Sequence, residues 1–361
     1  MRILILNWKD LAHPAAGGAE VFTEEVARVL VGRGHEVTLH AAAVEGRPAR
    51  ELVEGVEVVR SGGRLGVYRA ARRFWAGQSR DTYDIVVDEI NTRPFLAPRW
   101  VGGTPVVALI HQLAREIWSY ETPLPVALLG RYVLEPWWLR TYRNVPALTV
   151  SRSSAESLER YHGWRDVTVV PEGSSPHPLP EVAKETEPTV VFLGRLVAMK
   201  RPEDAVEAFR ILTAHLPTAR LWLIGDGPLA GSLRRESPRG VELLGRIDRD
   251  ELLRRLGAAH VLVATSVREG WGLNVSEAAA CGTPSIGYAV PGLVDSIEAS
   301  GGALVEPTPA ALGTALTEFF SGTLRLEARP STVPWADVAT AVEERLRRVL
   351  ERSEAVASPE G

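Results

Sequence analysis

Short apolar runs alternate with amphipathic stretches along most of this chain. Apolar runs of about four to eight residues between turn residues are typical of buried strands. We predict strands at 3–7, 36–42, 56–60, 84–90, 105–111, 147–151, 167–170, 189–193, 220–224, 241–244, 261–264 and 284–288.

Between these runs, apolar residues recur three and four positions apart, which is the spacing of one helix face. The spacing predicts helices at 19–31, 65–76, 125–143, 153–161, 203–213, 229–235, 249–258, 293–299, 309–320 and 335–352, and one that begins near 274. Regular alternation of strand and helix is typical of parallel sheets covered by helices on both faces. We therefore predict an α/β protein of two Rossmann-like, doubly wound domains facing a cleft, with ligands at the carboxyl ends of the strands.

The alternation stops at 174–188, where prolines cluster among few apolar residues. That composition is typical of a linker between domains. We predict an N-terminal domain at 1–173 and a C-terminal domain at 189–334. A charged helix at 335–361 follows; it could pack back on the N-terminal domain, and its tail is predicted to fray.

Composition narrows the class of protein. The chain has 361 residues, enough for two domains, and a net charge of −4, which gives no electrostatic case for nucleic-acid binding. The single cysteine, Cys281, excludes an internal disulfide and fits a reducing compartment, so we expect a cytoplasmic protein. The segment PWWLR at 136–140 predicts a packed helix, with peripheral membrane contact as the alternative.

The stretch REGWGLNVSEAAACGTP at 268–284 carries the strongest sign of a ligand site. Glycines break a loop that leads into an alanine-rich helix, and Glu269 and Glu277 flank the helix start. Asn274 is predicted as the N-cap, with Glu277 in the capping-box position three residues later. A helix N-terminus with two carboxylates suits an anionic, polyhydroxylated ligand. The alternative is an ordinary loop, a capped helix and a surface acid.

A second cluster of polar residues follows the strand at 189–193. Arg195 and Lys200 lie in the turn to the next helix, where an arginine fork and a lysine point charge suit a diphosphate. Gly225 lies in a tight turn, GDGP, after the next strand; the spacing of a dinucleotide fingerprint is absent. The alternative for this cluster is a solvated basic loop.

The first half offers Gly17 and Gly18 before its first helix, and His111 at the end of an apolar strand. The glycines allow a ligand to approach the backbone, and the histidine could bond a sugar hydroxyl. The alternatives are an ordinary glycine loop and a packed histidine. We predict no metal site: Asp248 and Asp250 form an Asp-x-Asp pattern, which we interpret as helix capping.

Taken together, these motifs resemble the retaining glycosyltransferases of family 4, which have the GT-B fold. The matching pieces span most of the chain and are, in order, GGAE at 17–20, His111, GRLVAMKRP at 194–202, GDGP at 225–228, LLGRIDRDELLRRLGAAHVLV at 243–263 and EGWGLNVSEAAACGTPSIG at 269–287.

The resemblance implies a role for each site residue. The diphosphate of a nucleotide-sugar would lie against Arg195, Lys200 and the Gly17–Gly18 and Gly225 turns, and Glu277 would take the ribose hydroxyls. The transferred sugar would meet Glu269, His111 and the backbone of Gly270, Trp271, Gly272 and Leu273, and the backbone of Arg246 and Ile247 would frame the base. The nucleotide-sugar is a co-substrate, and the resemblance implies neither a cofactor nor a metal.

The chain departs from the family pattern at three positions. Gln112 follows His111 where many relatives have aspartate, Glu172 stands where asparagine is common, and Trp271 replaces a usual phenylalanine. The first change could alter the orientation of His111, and the second changes the charge near the hinge of the cleft.

We therefore expect a retaining transferase that moves a sugar from a nucleotide-diphosphate donor to a hydroxyl of a saccharide, lipid or small-molecule acceptor. A nucleotide-sugar epimerase of the same fold is one alternative, although no acid/base pair for that chemistry is identified. A catalytically silent sugar-nucleotide-binding subunit is the other. The sequence chooses neither the donor, nor the acceptor, nor the oligomeric state.

Overall fold

A computed structural model describes residues 1–79, 81–174 and 182–357. Residues 175–181 of the predicted linker and the last four residues of the predicted tail lie outside the described residues. The chain forms two compact units. The first comprises the described residues of Met1–Arg115, Leu129–Ser175 and Val333–Gly361, and the second comprises those of Glu116–Leu128 and Pro176–Thr332.

The strands are, in chain order, β1 (Arg2–Leu6), β2 (Glu36–Ala41), β3 (Arg50–Val53), β4 (Val56–Arg60), β5 (Ile85–Glu89), β6 (Val106–Leu109), β7 (Ala147–Thr149), β8 (Val167–Val169), β9 (Thr189–Leu193), β10 (Arg220–Ile224), β11 (Val241–Gly245), β12 (Val261–Ala264), β13 (Ser285–Tyr288) and β14 (Ala303–Val305).

The α-helices are α1 (Gly18–Gly32), α2 (Val67–Ala76), α3 (Ile117–Glu121), α4 (Leu124–Leu129), α5 (Glu135–Leu139), α6 (Arg152–His162), α7 (Pro202–His215), α8 (Ala230–Glu236), α9 (Arg249–Ala258), α10 (Leu273–Ala280), α11 (Leu293–Ala299), α12 (Pro309–Phe320) and α13 (Trp335–Ala357). Short 3₁₀ turns lie at Ala97–Arg99, Arg140–Tyr142 and Ala198–Lys200, and a π-helical turn lies at Gly130–Leu134. None of the helices in the described part of the chain is long and apolar enough to cross a membrane.

The first unit is built on an eight-stranded sheet of order β3-β4-β2-β1-β5-β6-β7-β8. Its strands are parallel except at the edge, where β3 pairs antiparallel with β4. The central strand β1 carries Ile3, Leu4 and Leu6, which are fully buried. Burial on both faces explains why this strand is a continuous apolar run.

The second unit contains a six-stranded parallel sheet of order β11-β10-β9-β12-β13-β14. Phe209 of α7 and Trp222 of β10 are among the large side chains buried in its core. Parallel sheets with helices in both units confirm the predicted fold class.

In each sheet, successive strands are first added on one side of a central strand and then on its other side. In the first sheet the chain passes from β1 outward through β2 and β4, and then returns to place β5 on the other side of β1. In the second sheet, β9 is followed by β10 and β11 on one side, and β12 then pairs on the other. Loops that leave the carboxyl ends of strands at such switch points form the ligand sites of open α/β sheets.

The last helix, α13, packs on α1 within the first unit. The rings of Phe22 and Trp335 lie 5.9 Å apart, and Arg33 Nη1 lies 3.0 Å from Glu343 Oε2. The helix continues to Ala357, so the expectation of a frayed tail is wrong for the part of it that the structure describes.

The segment Glu116–Leu128 clusters with the second unit, although the predicted domain at 1–173 included it. Its contacts give the reason. Glu116 Oε2 accepts a hydrogen bond from Arg268 Nε at 2.9 Å, and Glu121 Oε1 accepts one from the backbone N–H of Met199 at 3.2 Å.

Candidate active site

The second unit brings two predicted site residues together at the switch point between β9 and β12. Lys200, at the end of the 3₁₀ turn after β9, donates a hydrogen bond to Glu269 Oε1. The same oxygen accepts a second hydrogen bond from Ser266 Oγ at 2.6 Å. Glu269 is 9% exposed, so this carboxylate is held between a cation and a hydroxyl.

The loop after β12 also fixes the backbone that carries Lys200. Thr265 Oγ1 donates to the carbonyl oxygens of Lys200 and Arg201, at 2.8 and 2.9 Å. Arg201 has a φ of 49°, a left-handed conformation that is costly for a residue with a side chain. The turn is therefore held against strain, and Pro202 then begins α7.

The backbone of Glu269 is clamped from a third element. Its N–H donates to the carbonyl oxygen of Pro291 at 3.0 Å. A Cβ at Gly292 would lie 2.2 Å from the carbonyl oxygen of Glu269, so this turn requires glycine. The sequence analysis missed Gly292, and a Pro-Gly turn after a buried strand was the signal for it.

Arg195 is exposed, and its side chain forms no hydrogen bond or ion pair with any described residue. The turn that carries it packs against the GDGP turn after β10, because Leu196 N donates to Asp226 O at 2.9 Å. Gly225 has a φ of 133°, and a Cβ there would lie 1.9 Å from Gly194 O. Close approach of two backbones thus explains Gly225.

The neighbouring turn continues this edge of the sheet. Gly225 N donates to Gly245 O at 2.8 Å, and Gly245 ends β11. Arg246 and Ile247 follow directly; Arg246 is exposed and Ile247 is half-buried. Arg246 and Ile247, which were predicted to frame the base, therefore follow β11. This strand pairs with β10, and β10 leads into the GDGP turn.

The predicted N-cap of α10 is wrong. Gly272 occupies that position with a φ of 103°, so the helix begins at Leu273, one residue before Asn274. Asn274 instead donates from Nδ2 to Leu193 O at 2.9 Å, which ties the helix start to β9. The expected capping box with Glu277 is absent for the same reason. Gly272 has no side chain to cap the helix. In the first turn, Val275 N donates to Gly272 O at 2.9 Å and to Asn274 Oδ1 at 3.1 Å.

Glu277 has a different partner from the one predicted. Arg249, the first residue of α9, donates to Glu277 Oε1 across the α9–α10 contact. Arg249 was missed because it lies 28 positions away on another helix.

Asp248 accepts a hydrogen bond from the backbone N–H of Glu251 at 2.9 Å, which confirms the capping interpretation. Within residues 1–79, 81–174 and 182–357, no three histidine, cysteine or acidic residues gather in a way that could hold a metal ion.

In the first unit, Gly17 is the N-cap of α1 and Gly18 is its first residue. Glu20, which is 1% exposed, accepts a hydrogen bond from Gly17 N at 2.6 Å, and Lys9 Nζ lies 3.1 Å from the same oxygen, Oε2. The glycine turn is therefore braced by a buried ion pair. Lys9 and Glu20 were not predicted as part of the site.

His111 lies beyond the carboxyl end of β6 and is 6% exposed. Its Nε2 is 3.5 Å from Glu89 Oε1 and its Nδ1 is 3.8 Å from Glu172 Oε1. Burial lowers the pKa of His111, but the carboxylates of Glu172 and Glu89 outweigh it and raise the pKa to about 10. The two carboxylates thus favour the charged imidazolium, while burial raises the pKa of Glu89 and of Glu172 themselves. Glu172, noted as a departure in sequence, is one of its two carboxylate neighbours.

Two doubly wound α/β units define the GT-B fold. Solved structures share this fold. Sucrose-phosphate synthase from Thermosynechococcus elongatus aligns with a TM-score of 0.71 at 19% identity, covering 99% of this chain and 98% of that one. Anabaena HepE, in complex with UDP and glucose, aligns with a TM-score of 0.64 at 18% identity, covering 99% and 100%.

Sequence relatives narrow the class. The family model for glycosyl transferases group 1 matches residues 178–331, and the model for glycosyltransferase family 4 matches residues 16–176. A D-inositol 3-phosphate glycosyltransferase of Nocardiopsis dassonvillei is 29% identical over 332 residues, covering 78% of this chain and 76% of the relative. A glycogen synthase of Mycobacterium tuberculosis is 25% identical over 336 residues, covering 82% and 80%. The chain is therefore a glycosyltransferase similar to group 1 and to family 4.

Proposed function

We propose that this glycosyltransferase moves a sugar from a nucleoside diphosphate donor to an acceptor hydroxyl, with retention of anomeric configuration and without a metal ion. The observation that carries the proposal is the Lys200–Glu269 pair at the β9–β12 switch point, with the exposed Arg195 on the same turn. These groups provide cations for a departing diphosphate beside a fixed carboxylate.

The diphosphate needs stabilisation as charge develops on it. A lysine ammonium has three protons, so Lys200 can bond Glu269 and still donate to phosphate oxygens. Arg195 offers a planar fork for two more oxygens. The first turn of α10 adds backbone N–H groups and the positive end of its dipole. Fixed charges of this kind stabilise a leaving group without a metal.

The sugar and ribose would contact the rest of the β12–α10 loop. Glu269 keeps its Oε2 for a sugar hydroxyl, with the backbone from Gly270 to Leu273 alongside. Glu277 would bond the ribose hydroxyls, and Arg249 holds one of its oxygens. Glu269 is bonded by both Lys200 and Ser266, which favours a role in positioning the sugar over one as a nucleophile.

The first unit, taken by itself, offers two groups of suitable chemistry. The backbone N–H groups at Gly17 and Gly18 open a helix and suit an anion, and a charged His111 can donate to a sugar hydroxyl. A charged donor stabilises a hydroxyl oxygen more than a neutral imidazole does.

Similar proteins support the donor class and leave the acceptor open. HepE is described with UDP and glucose, and the sequence relatives are named for glycogen and for D-inositol 3-phosphate. We propose a saccharide, lipid or small-molecule acceptor. The epimerase and the silent binding subunit are not favoured, because the chain aligns with transferases over most of its length.

Thermal denaturation with UDP, GDP, ADP and TDP tests donor binding. We expect one diphosphate to raise Tm, since a ligand at a hundredfold excess over Kd stabilises the native state by about 2.7 kcal/mol. Replacing Glu277 with alanine should weaken that Kd about tenfold or more, because it removes a charged hydrogen-bond acceptor. Glu207→Ala on α7 is the control, since this glutamate is exposed and, among the described residues, forms an ion pair only with Arg210. No shift with any diphosphate, or equal loss in both variants, would contradict the proposal.

A further inference from the structure

An exposed apolar surface lies on the helical segment of the first unit that runs from the end of α4 through the π-helical turn into α5. Leu129, Tyr132, Val133 and Trp137 are 49%, 63%, 54% and 54% exposed. We call these four side chains the apolar ridge. Tyr132, Val133 and Trp137 follow Leu129 by three, four and eight positions, which is the spacing of one helix face.

The opposite side of the same segment is apolar too. Leu139 and Tyr142 are buried in the core of the first unit, and Gly130 is also buried. Residues 136–140 are helical, as expected. Leu139 packs in the core, whereas Trp137 is exposed, so the expectation of a packed helix is wrong at Trp137. A helix that is apolar on both sides belongs in a core or against an apolar medium. The core of the first unit covers one side of this helical segment, and the apolar ridge on the other side is the part left for an apolar partner.

The charges around the ridge are positive. Arg140 and Arg143 are exposed at its carboxyl end. Arg99 lies over Trp137, with its Cζ 5.3 Å from the ring centroid, and donates to Thr141 Oγ1 at 2.6 Å. This surface is basic in a chain whose net charge is −4.

The positive charge of these arginines is not neutralised at the surface by an acidic side chain from residues 129–143. Between Leu129 and Arg143 the sequence has one acidic residue, Glu135, which is 3% exposed. Its two carboxylate oxygens accept hydrogen bonds from Ala114 N and Arg115 N, at 2.8 and 2.9 Å, so it is held inward.

We propose that the apolar ridge docks the protein on a lipid surface that carries anionic headgroups. Tyrosine and tryptophan favour the boundary between headgroups and acyl chains, where leucine and valine can enter the apolar layer. Arginines beside such a patch attract phosphate headgroups. A second copy of the chain fits less well, because a symmetric contact would bring the arginines of both copies to one interface, where this stretch has no exposed acid to pair with them.

Co-sedimentation of the full chain with vesicles tests the proposal. We expect binding to vesicles of phosphatidylcholine and phosphatidylglycerol, and much weaker binding to phosphatidylcholine alone. Tyr132→Ser, Val133→Ser and Trp137→Ser combined should lower the bound fraction at least about tenfold, and salt should weaken the binding of wild type. The matched control combines Leu52→Ser and Leu65→Ser, which are 73% and 76% exposed elsewhere in the first unit.

The outcomes separate the possible partners. Wild-type protein that stays in solution with anionic vesicles overturns the proposal, as does a ridge variant that binds like wild type while keeping its circular dichroism and Tm. A dimer in sedimentation velocity that the ridge variant abolishes, without vesicle binding, assigns the ridge to a second copy instead. Vesicle binding needs no sugar transfer, so its failure leaves the proposed function untouched.

Discussion

Replacement of Lys200 with alanine is expected to lower kcat/KM for sugar transfer about a hundred- to a thousandfold. The ammonium is the cation nearest the buried carboxylate of Glu269, and we assign it to the leaving diphosphate. Loss of one preorganised group that stabilises transition-state charge costs about 2.7–4 kcal/mol. The effect should appear in kcat as well as in KM, because the charge on the diphosphate grows as the glycosidic bond breaks.

The matched control for this variant is Arg254→Ala. Arg254 lies on α9, is 57% exposed in its side chain and pairs with Glu251 within the same helix. Steady-state kinetics are measured with a donor that the wild-type enzyme uses. The control should have a kcat/KM within about twofold of wild type, since exposed ion pairs contribute little. Equal activity of Lys200→Ala and wild type would refute the role given to this lysine.

Replacement of Gly225 with alanine is expected to destabilise the second unit by about 4 kcal/mol or more. The added Cβ would lie 1.9 Å from Gly194 O, at a φ of 133° that disfavours any side chain. The added Cβ would be fixed to the backbone of one turn, and it would meet a backbone carbonyl of the other. Neither group can rotate away as the end of a flexible side chain would. Strain of this kind belongs to the small group of substitutions with large effects on stability.

Gly322→Ala separates backbone strain from the steric clash. Gly322 has a φ of 80°, but nothing lies within 4 Å of the position of its Cβ. Calorimetry should therefore show a loss of about 1–2 kcal/mol for this variant, the ordinary cost of the left-handed conformation. If Gly225→Ala melts at the same temperature as Gly322→Ala, the close approach of the two turns is not a constraint.

The sequence predicted the central strands better than the edges. β9, β10 and β12 have the predicted bounds, because strands buried on both faces are continuous apolar runs. β3, with the sequence RELV, was missed, since an edge strand carries alternating charges and lacks that signal. β14 was missed because three residues are too few to show a pattern.

The site was only partly readable from sequence. Motif spacing pointed to Lys200 and Glu269, but nothing in it showed that they are bonded to each other. Arg249 and Ser266 reach the site through the packing of separate elements, which a linear sequence does not display. The Asn274 cap failed because Gly272, two residues earlier, adopts a positive φ and takes the N-cap position.

The configuration of the sugar bond in the product tests the central claim most directly. The enzyme is incubated with nucleoside diphosphate sugars and an acceptor panel in excess EDTA, and the anomeric coupling of the product is measured by NMR. We predict release of the nucleoside diphosphate in EDTA and a product whose anomeric configuration matches that of the donor. An inverted anomer, or transfer that EDTA abolishes, would contradict the account.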